Sequence, residues 1–293
     1  MARPKRRLTG EEREERRRRD RERLEQATRE LLSSEGWKRW LRARATLHAY
    51  SFHNTLLIAS QARALGFEPT YVAGFKAWLR LNRVVRKGET ALRILAPVTV
   101  KERDVDGEET GERCVFFRTV FVFDVSQTEV LAGREPVPLE VPRERLESDS
   151  HAELLEPLER LAGELGYEVR YRPLGGPDGV CDYRRRRILI DEGLAANARV
   201  ATLVHELGHV FVESELADDE GLTKELEELV VEAVAYVALA GAGLDTGRDS
   251  VPYIASWEGD NALEQLQRAA ELIDALARRI EQAIDAEREP ATA

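Results

Sequence analysis

Val204-His205-Glu206-Leu207-Gly208-His209 lies inside an apolar run, with Ala201-Thr202-Leu203 before it and Val210-Phe211-Val212 after it. Apolar residues at this density predict a buried helix. Histidines four apart share one face of a helix, so both imidazoles can grip a single divalent ion, with Zn²⁺ the expected one. The glutamate beside the first histidine then points toward the remaining metal position, where a water needs a base. A chance HExxH on a surface helix is the competing reading. Flanks this apolar argue against it, because two idle imidazoles and a carboxylate are costly to bury.

A third ligand has a candidate downstream. Glu227-Glu228-Leu229-Val230-Val231-Glu232-Ala233-Val234-Ala235-Tyr236-Val237 predicts a second apolar helix, on which Glu228 and Glu232 share a face one turn apart. Carboxylates on a buried face need partners, and a metal with its histidines supplies them. A solvated acidic stripe is the alternative for Glu228, since Glu220, Glu225, Glu227 and Glu228 form a charge run; apolar residues surround Glu232. A Glu-x-x-x-acid pair downstream of HExxH resembles the gluzincin arrangement. That resemblance implies Glu228 as the ligand and Glu232 as the acceptor of a hydrogen bond from a ligand histidine, the reverse assignment staying open.

Composition bounds the rest. At 293 residues the chain has room for two modest domains or one large one. No stretch approaches 18 uninterrupted apolar residues, so no membrane partner is expected. The N-terminal MARPKRRLTGEEREERRRRD has no apolar segment after its basic start, which argues against a secretory signal. Cys114 and Cys181 are far apart and lack metal-ligand spacing, a usage that fits a reducing cytoplasm.

The net charge of −10 is an average of unlike halves. Residues 1–135 carry 28 basic against 20 acidic side chains, and residues 136–293 carry 16 against 34. Within 36–100 the contrast is 11 against 2. A basic block attracts polyanions by counterion release. Its aromatics are interleaved with these cations, as Trp37, Trp40, Tyr50, Phe52, Tyr71, Phe75 and Trp78 show. Rings for stacking and cations along a backbone are how single strands are held without sequence preference. Arginines lining a solvated helix face, with Trp37, Trp40, Phe75 and Trp78 packed inward, are the plainer alternative.

Along the chain, Thr9 with Glu12 reads as a capping box that opens a charged helix to about Ser34, an exposed arm by its thin apolar content. Helices are expected after Gly36, over 53–65 and over 74–81. The period then changes to two, predicting long antiparallel strands over 91–101 and 113–123 joined near Asp106-Gly107. A linker over 136–150 precedes a helix over 151–165, short strands over 167–172, 180–183 and 187–190, the HELGH helix, the Glu228 helix and a final helix over about 261–285. The expected fold is α+β: a charged arm (1–34), a helical and β-hairpin domain (35–135), a linker (136–150), a zincin-like domain (151–285) and a tail (286–293).

Both halves resemble one family. Tyr50-Ser51-Phe52-His53-Asn54-Thr55-Leu56-Leu57, Thr70-Tyr71-Val72-Ala73-Gly74-Phe75-Lys76 and Val85-Arg86-Lys87-Gly88-Glu89 look like the N-terminal domain of ArdC-type antirestriction proteins. The HELGH helix, Glu227–Glu232 and Tyr253-Ile254-Ala255-Ser256-Trp257 are similar to that family's metallopeptidase domain. The likeness covers roughly residues 35–285. Phe52 stands where the family commonly has glycine, Gly208 replaces a more polar flank, and the stretch before Glu35 finds no counterpart. The resemblance implies single-stranded DNA binding by the first domain, a zinc hydrolase fold in the second, and a role in shielding incoming DNA from restriction enzymes. It extends to ImmA/IrrE-type peptidases that act on regulators.

The expected DNA contacts are Trp40, Arg44, Tyr50, Asn54, Lys76, Trp78, Arg83, Arg86 and Lys87. At the metal, His205, His209 and Glu228 are the expected ligands, Glu206 the general base for attack on a peptide carbonyl, and Tyr253 a donor to the resulting oxyanion, against its reading as an ordinary half-buried tyrosine. Three readings follow: a DNA-localised metallopeptidase, a DNA-binding shield with an idle zinc site, and a regulator-cleaving peptidase whose basic region touches protein.

Overall fold

The computed structural model describes residues 10–47, 49–103, 109–139, 144–216, 223–245 and 262–288. In chain order these form α1 (Gly10–Glu30), α2 (Ser34–Thr46), α3 (Phe52–Ala64), β1 (Val72–Gly74), α4 (Phe75–Arg80), β2 (Arg83–Val85), β3 (Leu92–Arg103), β4 (Glu109–Asp124) and β5 (Thr128–Val130). After them come β6 (Glu144–Arg145), α5 (Leu155–Glu164), β7 (Glu168–Arg172), β8 (Gly179–Asp182), β9 (Arg187–Asp191), α6 (Ala196–Leu216), α7 (Lys224–Ala242), β10 (Leu244–Asp245) and α8 (Ala262–Arg288). Local chemistry sets several helix starts: Ser33, Ser51 and Thr223 are N-caps whose side chains accept from Gly36, Asn54 and Leu226 backbone N–H groups. Among the described residues, no helix is long and apolar enough to cross a membrane. The α+β architecture is as the residue pattern implies, a helical and hairpin part followed by a zincin-like part.

The core does not divide where the sequence places its boundaries. One large cluster joins Leu158 of α5, Leu203, Leu207 and Phe211 of α6, Val231 and Val234 of α7 and Ile273 of α8 to Leu31, Trp37, Trp40 and Phe52 from the first three helices. Only a smaller cluster, with Ile58, Val72, Leu92, Ile94 and Val122, belongs to the N-terminal sheet. The expected exposed arm is therefore corrected at its C-terminal end. Arg19–Glu15 and Arg29–Glu25 pairs at 2.7 Å decorate α1 outside, while Ala27 and Leu31 anchor it inside. The expected 136–150 linker is tied down from Glu144 onward. β6 pairs with β10, and the buried Asn197 at the start of α6 bonds the Arg145 carbonyl and the His151 N–H at 2.8 and 2.9 Å.

A buried charge cluster fixes α2 against α8. The Arg44 Nε lies 2.5 Å from Asp274, its two terminal nitrogens reach Glu281 at 3.0 and 2.9 Å, and Asp274 also accepts from the Phe52 N–H at 3.0 Å. Burial alone would lower the Arg44 pKa, but Glu281 and Asp274 more than offset it and raise it above the ordinary value.

The N-terminal sheet has order β1-β4-β3, so β3 is an edge. Its outward backbone groups are closed in a systematic way. Asn54 of α3 accepts from the Leu95 N–H at 2.8 Å and donates to its carbonyl at 2.9 Å; Gln61, two turns on, does the same for Arg93 at 3.0 and 2.9 Å. The next position of that phase is Pro97, which has no N–H to offer. Two side-chain amides and a proline thus stop another strand from adding there.

Candidate metal centre

Helix α6 carries His205 and His209 on one face, their ring centroids 5.0 Å apart. Helix α7 packs across it, and the crossing is close because residue 208 is glycine. A Cβ there would lie 3.0 Å from Val231 Cγ1 and 3.4 Å from its Cα, so a larger residue would push α7 away. That approach delivers Glu228. His205, His209 and Glu228 each offer a ligand atom, and the three atoms lie within 4.8 Å of one another. Imidazole and carboxylate ligands sit about 2 Å from a divalent ion. A small contraction of this cluster meets that requirement, so the donor set fits a divalent metal. Glu228 Oε1 is 3.7 Å from His209 Nε2.

The other ring nitrogen of His209 is held as well. Its Nδ1 is 3.1 Å from Glu227 Oε1, which orients the ring and leaves Nε2 for an ion. Glu227, read above as part of a charge run, thus orients His209, beside the Glu232 expected from the resemblance to accept from a ligand histidine. Only the approach angle of α7 reveals it. Glu232 is half-buried one turn beyond Glu228 and lies outside the three-group cluster. Tyr253 falls outside the described residues.

Glu206 is 7% exposed. Burial is the main cause that pushes its pKa up to about 7; Glu228 adds to the rise, and His209 with the Cys181 backbone N–H opposes it. The neighbour that buries it is β8, the edge of the β7-β9-β8 sheet. Gly179 permits the contact, since a Cβ there would sit 2.5 Å from Thr202 Cγ2 and 2.8 Å from Glu206 Oε1. Cys181, two residues on, has its thiol pushed up to about 12 by burial and by the charges of Glu206 and Glu213. An edge strand thus runs beside a buried base and a metal-competent cluster.

The expected DNA contacts divide between buried or engaged side chains and exposed ones. Trp40 and Trp78 are 1% and 0% exposed, and Arg44 is spent on the carboxylates of α8. Tyr50 donates to the Val72 carbonyl at 2.8 Å, and burial pushes its hydroxyl up to about 12. Asn54 caps the β3 edge. Arg86 donates to Glu89, Ser126 O and Thr128 O, and Arg83 bonds Thr128 Oγ1 at 2.7 Å. Lys76 and Lys87 remain exposed. The reason is volume: large rings and a guanidinium with available carboxylates are better placed inside than on a face. Of the interleaved rings Tyr71 and Phe75 are exposed, and so are three that sequence reasoning passed over, Phe116, Phe117 and Phe121 of β4.

Comparison with known proteins finds similarity over both parts of the chain. Residues 13–123 match the N-terminal domain of anti-restriction factor ArdC, and residues 162–241 match the IrrE N-terminal-like domain. The first match begins inside α1, ahead of the Glu35 boundary drawn from the sequence. Uncharacterized protein y4eC of Sinorhizobium fredii (strain NBRC 101917 / NGR234) is 27% identical over 242 residues, which is 77% of this chain and 74% of that protein. An uncharacterized protein of Bacillus anthracis is 26% identical over 247 residues, 71% of this chain but 40% of that longer protein. Crystal structures of the antirestriction ArdC protein from plasmid R388 are also similar. The metal-free form gives a TM-score of 0.46 at 22% identity and the Mn(II)-bound form 0.43 at 20%, covering 82% of this chain and 84% and 87% of theirs. Residues 13–123 are thus similar to an ArdC-type N-terminal domain and residues 162–241 to an IrrE-like peptidase domain, in the order that the sequence motifs imply.

Proposed function

We propose that the protein binds single-stranded DNA through its N-terminal part and hydrolyses peptide bonds at a divalent-metal site in its C-terminal part, in the protection of incoming DNA from restriction. One observation carries the enzymatic half: ligand atoms from two helices converge beside a buried carboxyl group of raised proton affinity. His205, His209 and Glu228 would hold the ion, with zinc the proposed occupant and manganese compatible with the same donors. When bound, the ion supplies Lewis acidity toward a water and a peptide carbonyl. Glu206 takes the proton of the attacking water and returns it to the leaving amine. Glu227 keeps His209 in one tautomer. An extended peptide would pair with the edge of β8, and Tyr253 would donate to the carbonyl oxygen. Action on incoming DNA places the protein in the cytoplasm.

A peptide-library digest with and without chelator tests this. Cleavage that the chelator abolishes and Glu206→Gln removes, with metal content unchanged by elemental analysis, is the expected result; undiminished cleavage by that variant overturns the base assignment. DNA binding without cleavage would leave a shield with an idle site. The IrrE-type match over residues 162–241 favours one further reading, a peptidase that cleaves a regulator and meets it through the basic region. Absence of any salt-dependent affinity for single-stranded DNA would select it.

A further inference from the structure

The β3–β4 ladder presents two faces of opposite character. Leu92, Ile94 and Val122 point toward α3 and form the small core. On the other face the register pairs Arg93 with Phe121, Leu95 with Thr119 and Pro97 with Phe117. Phe117 is 62% exposed and Phe121 48%. Both lie on one strand, same face, about 13 Å apart at the usual strand rise. Arg93 is paired directly beside Phe121, and among the described residues it makes no ion pair. Leu95, Thr119 and Arg93 also line a small cleft with Arg23 and Leu57. Arg23 and Leu57 in turn border a cavity of about 440 Å³ between α1 and α3 that holds Arg63. The ring-bearing face therefore continues into a groove with three arginines, of which Arg63 is paired with Glu30 at 3.3 Å.

We propose that single-stranded DNA is gripped on this open face, its bases stacking on Phe117 and Phe121 and its phosphates meeting Arg93 and the Arg23–Arg63 groove. The inference rests on the DNA-binding reading above and names its surface. Two observations favour a nucleic acid over a protein strand. The outward edge of β3 is closed at Arg93, Leu95 and Pro97, so a peptide cannot extend the sheet there. Segment 36–100, which supplies α3 and the start of β3 with Arg93, holds 11 basic and 2 acidic side chains, the complement of a polyanion. Exposed rings flanked by cations are a stacking platform that any base can use.

Fluorescence anisotropy with a labelled oligo-dT, on the full chain across a salt series, tests the surface. Phe117→Ala/Phe121→Ala is expected to weaken binding about thirty-fold or more with the salt slope unchanged. Arg93→Ala is expected to lower the slope by about one. Phe117 and Phe121 are exposed and Arg93 is half-buried, and an unchanged melting temperature confirms that the variants fold. The leucine pair Phe117→Leu/Phe121→Leu should lose affinity like the alanine pair, because apolar area without a ring cannot stack. Wild-type binding that survives both double substitutions overturns the inference while leaving DNA binding in place. Leucine variants as strong as wild type overturn it in favour of a protein-docking patch. A wild-type chain with no affinity for the oligonucleotide refutes the DNA-binding reading itself, and this surface with it.

Discussion

Helices α6 and α7 and the β3–β4 hairpin break the usual partition of side chains in opposite directions. The helix pair turns charge inward, with Glu206 buried and His209 held between Glu227 and Glu228. The hairpin turns rings outward, with Phe116, Phe117 and Phe121 each about half exposed or more. Each departure costs stability where it occurs, through desolvated charge in one place and unburied rings in the other. Neither region needs such residues to fold. Places where a chain tolerates a local violation are where function is to be sought, and here there are two of them, one on each of the two hydrophobic clusters.

The largest expected effect separates the two regions cleanly. His205→Ala removes one of three ligand groups, so purified protein should lose its divalent metal almost completely by elemental analysis while oligonucleotide affinity stays within two-fold of wild type. Loss of DNA affinity together with the metal would show that the two regions are not independent, and retention of stoichiometric metal would break the assignment of the cluster.

Arg44 offers the next largest effect, and it addresses the joint between the regions. Arg44→Ala leaves Glu281 without its cation and Asp274 with Arg278 alone at 3.2 Å, at a site where the Arg44 guanidinium is fully buried. Breaking a buried pair in this way costs about 3–5 kcal/mol. Urea unfolding should show that loss; a change below about 1 kcal/mol would return Arg44 to the surface role that its sequence context suggests.

How much of this could be read from the chain differs between the regions for a physical reason. A four-residue spacing on a helix specifies a direction, so His205 and His209 were legible together, while the next apolar helix offered both Glu228 and Glu232 and the gluzincin resemblance implied Glu228. The order of helices and strands was legible for the same reason, from period and capping residues. Glu227 was not, because its role depends on how closely α7 crosses α6, which Gly208 and Val231 decide. The tryptophans were misleading because interleaving with arginine says nothing about which face is covered. Trp78 is buried with its indole N–H on the Phe123 carbonyl at 3.0 Å, whereas Phe117 and Phe121 are exposed on the face of their strand opposite to α3.

A pH experiment probes the inward charge without reference to activity. In the metal-free fold Glu206 has its pKa raised from 4.5 to about 7, chiefly by burial. The folded state therefore binds this proton more tightly than the unfolded state does. The contribution to stability is complete below about pH 4.5 and is lost as pH rises through about 7. Between pH 5 and pH 8, chelator-treated wild type should lose about 2–3 kcal/mol relative to Glu206→Gln, which cannot ionise. Parallel unfolding curves at the two pH values would mean that water already reaches the carboxylate.

The smallest effect sharpens the outward half. Asn54 sits in a segment whose likeness to ArdC-type domains makes it a candidate DNA contact, yet both ends of its amide are occupied by Leu95. Asn54→Ala removes two hydrogen bonds from a strand edge that still has Gln61 two turns away, so the expected loss is about 1–2 kcal/mol. If the amide serves only the edge, oligonucleotide affinity measured well below the unfolding transition should be unchanged. A drop in affinity at constant stability would place DNA on α3 rather than on the rings of β4. The comparison would then fail on its second side, because the outward rings would have lost the ligand that accounts for their exposure.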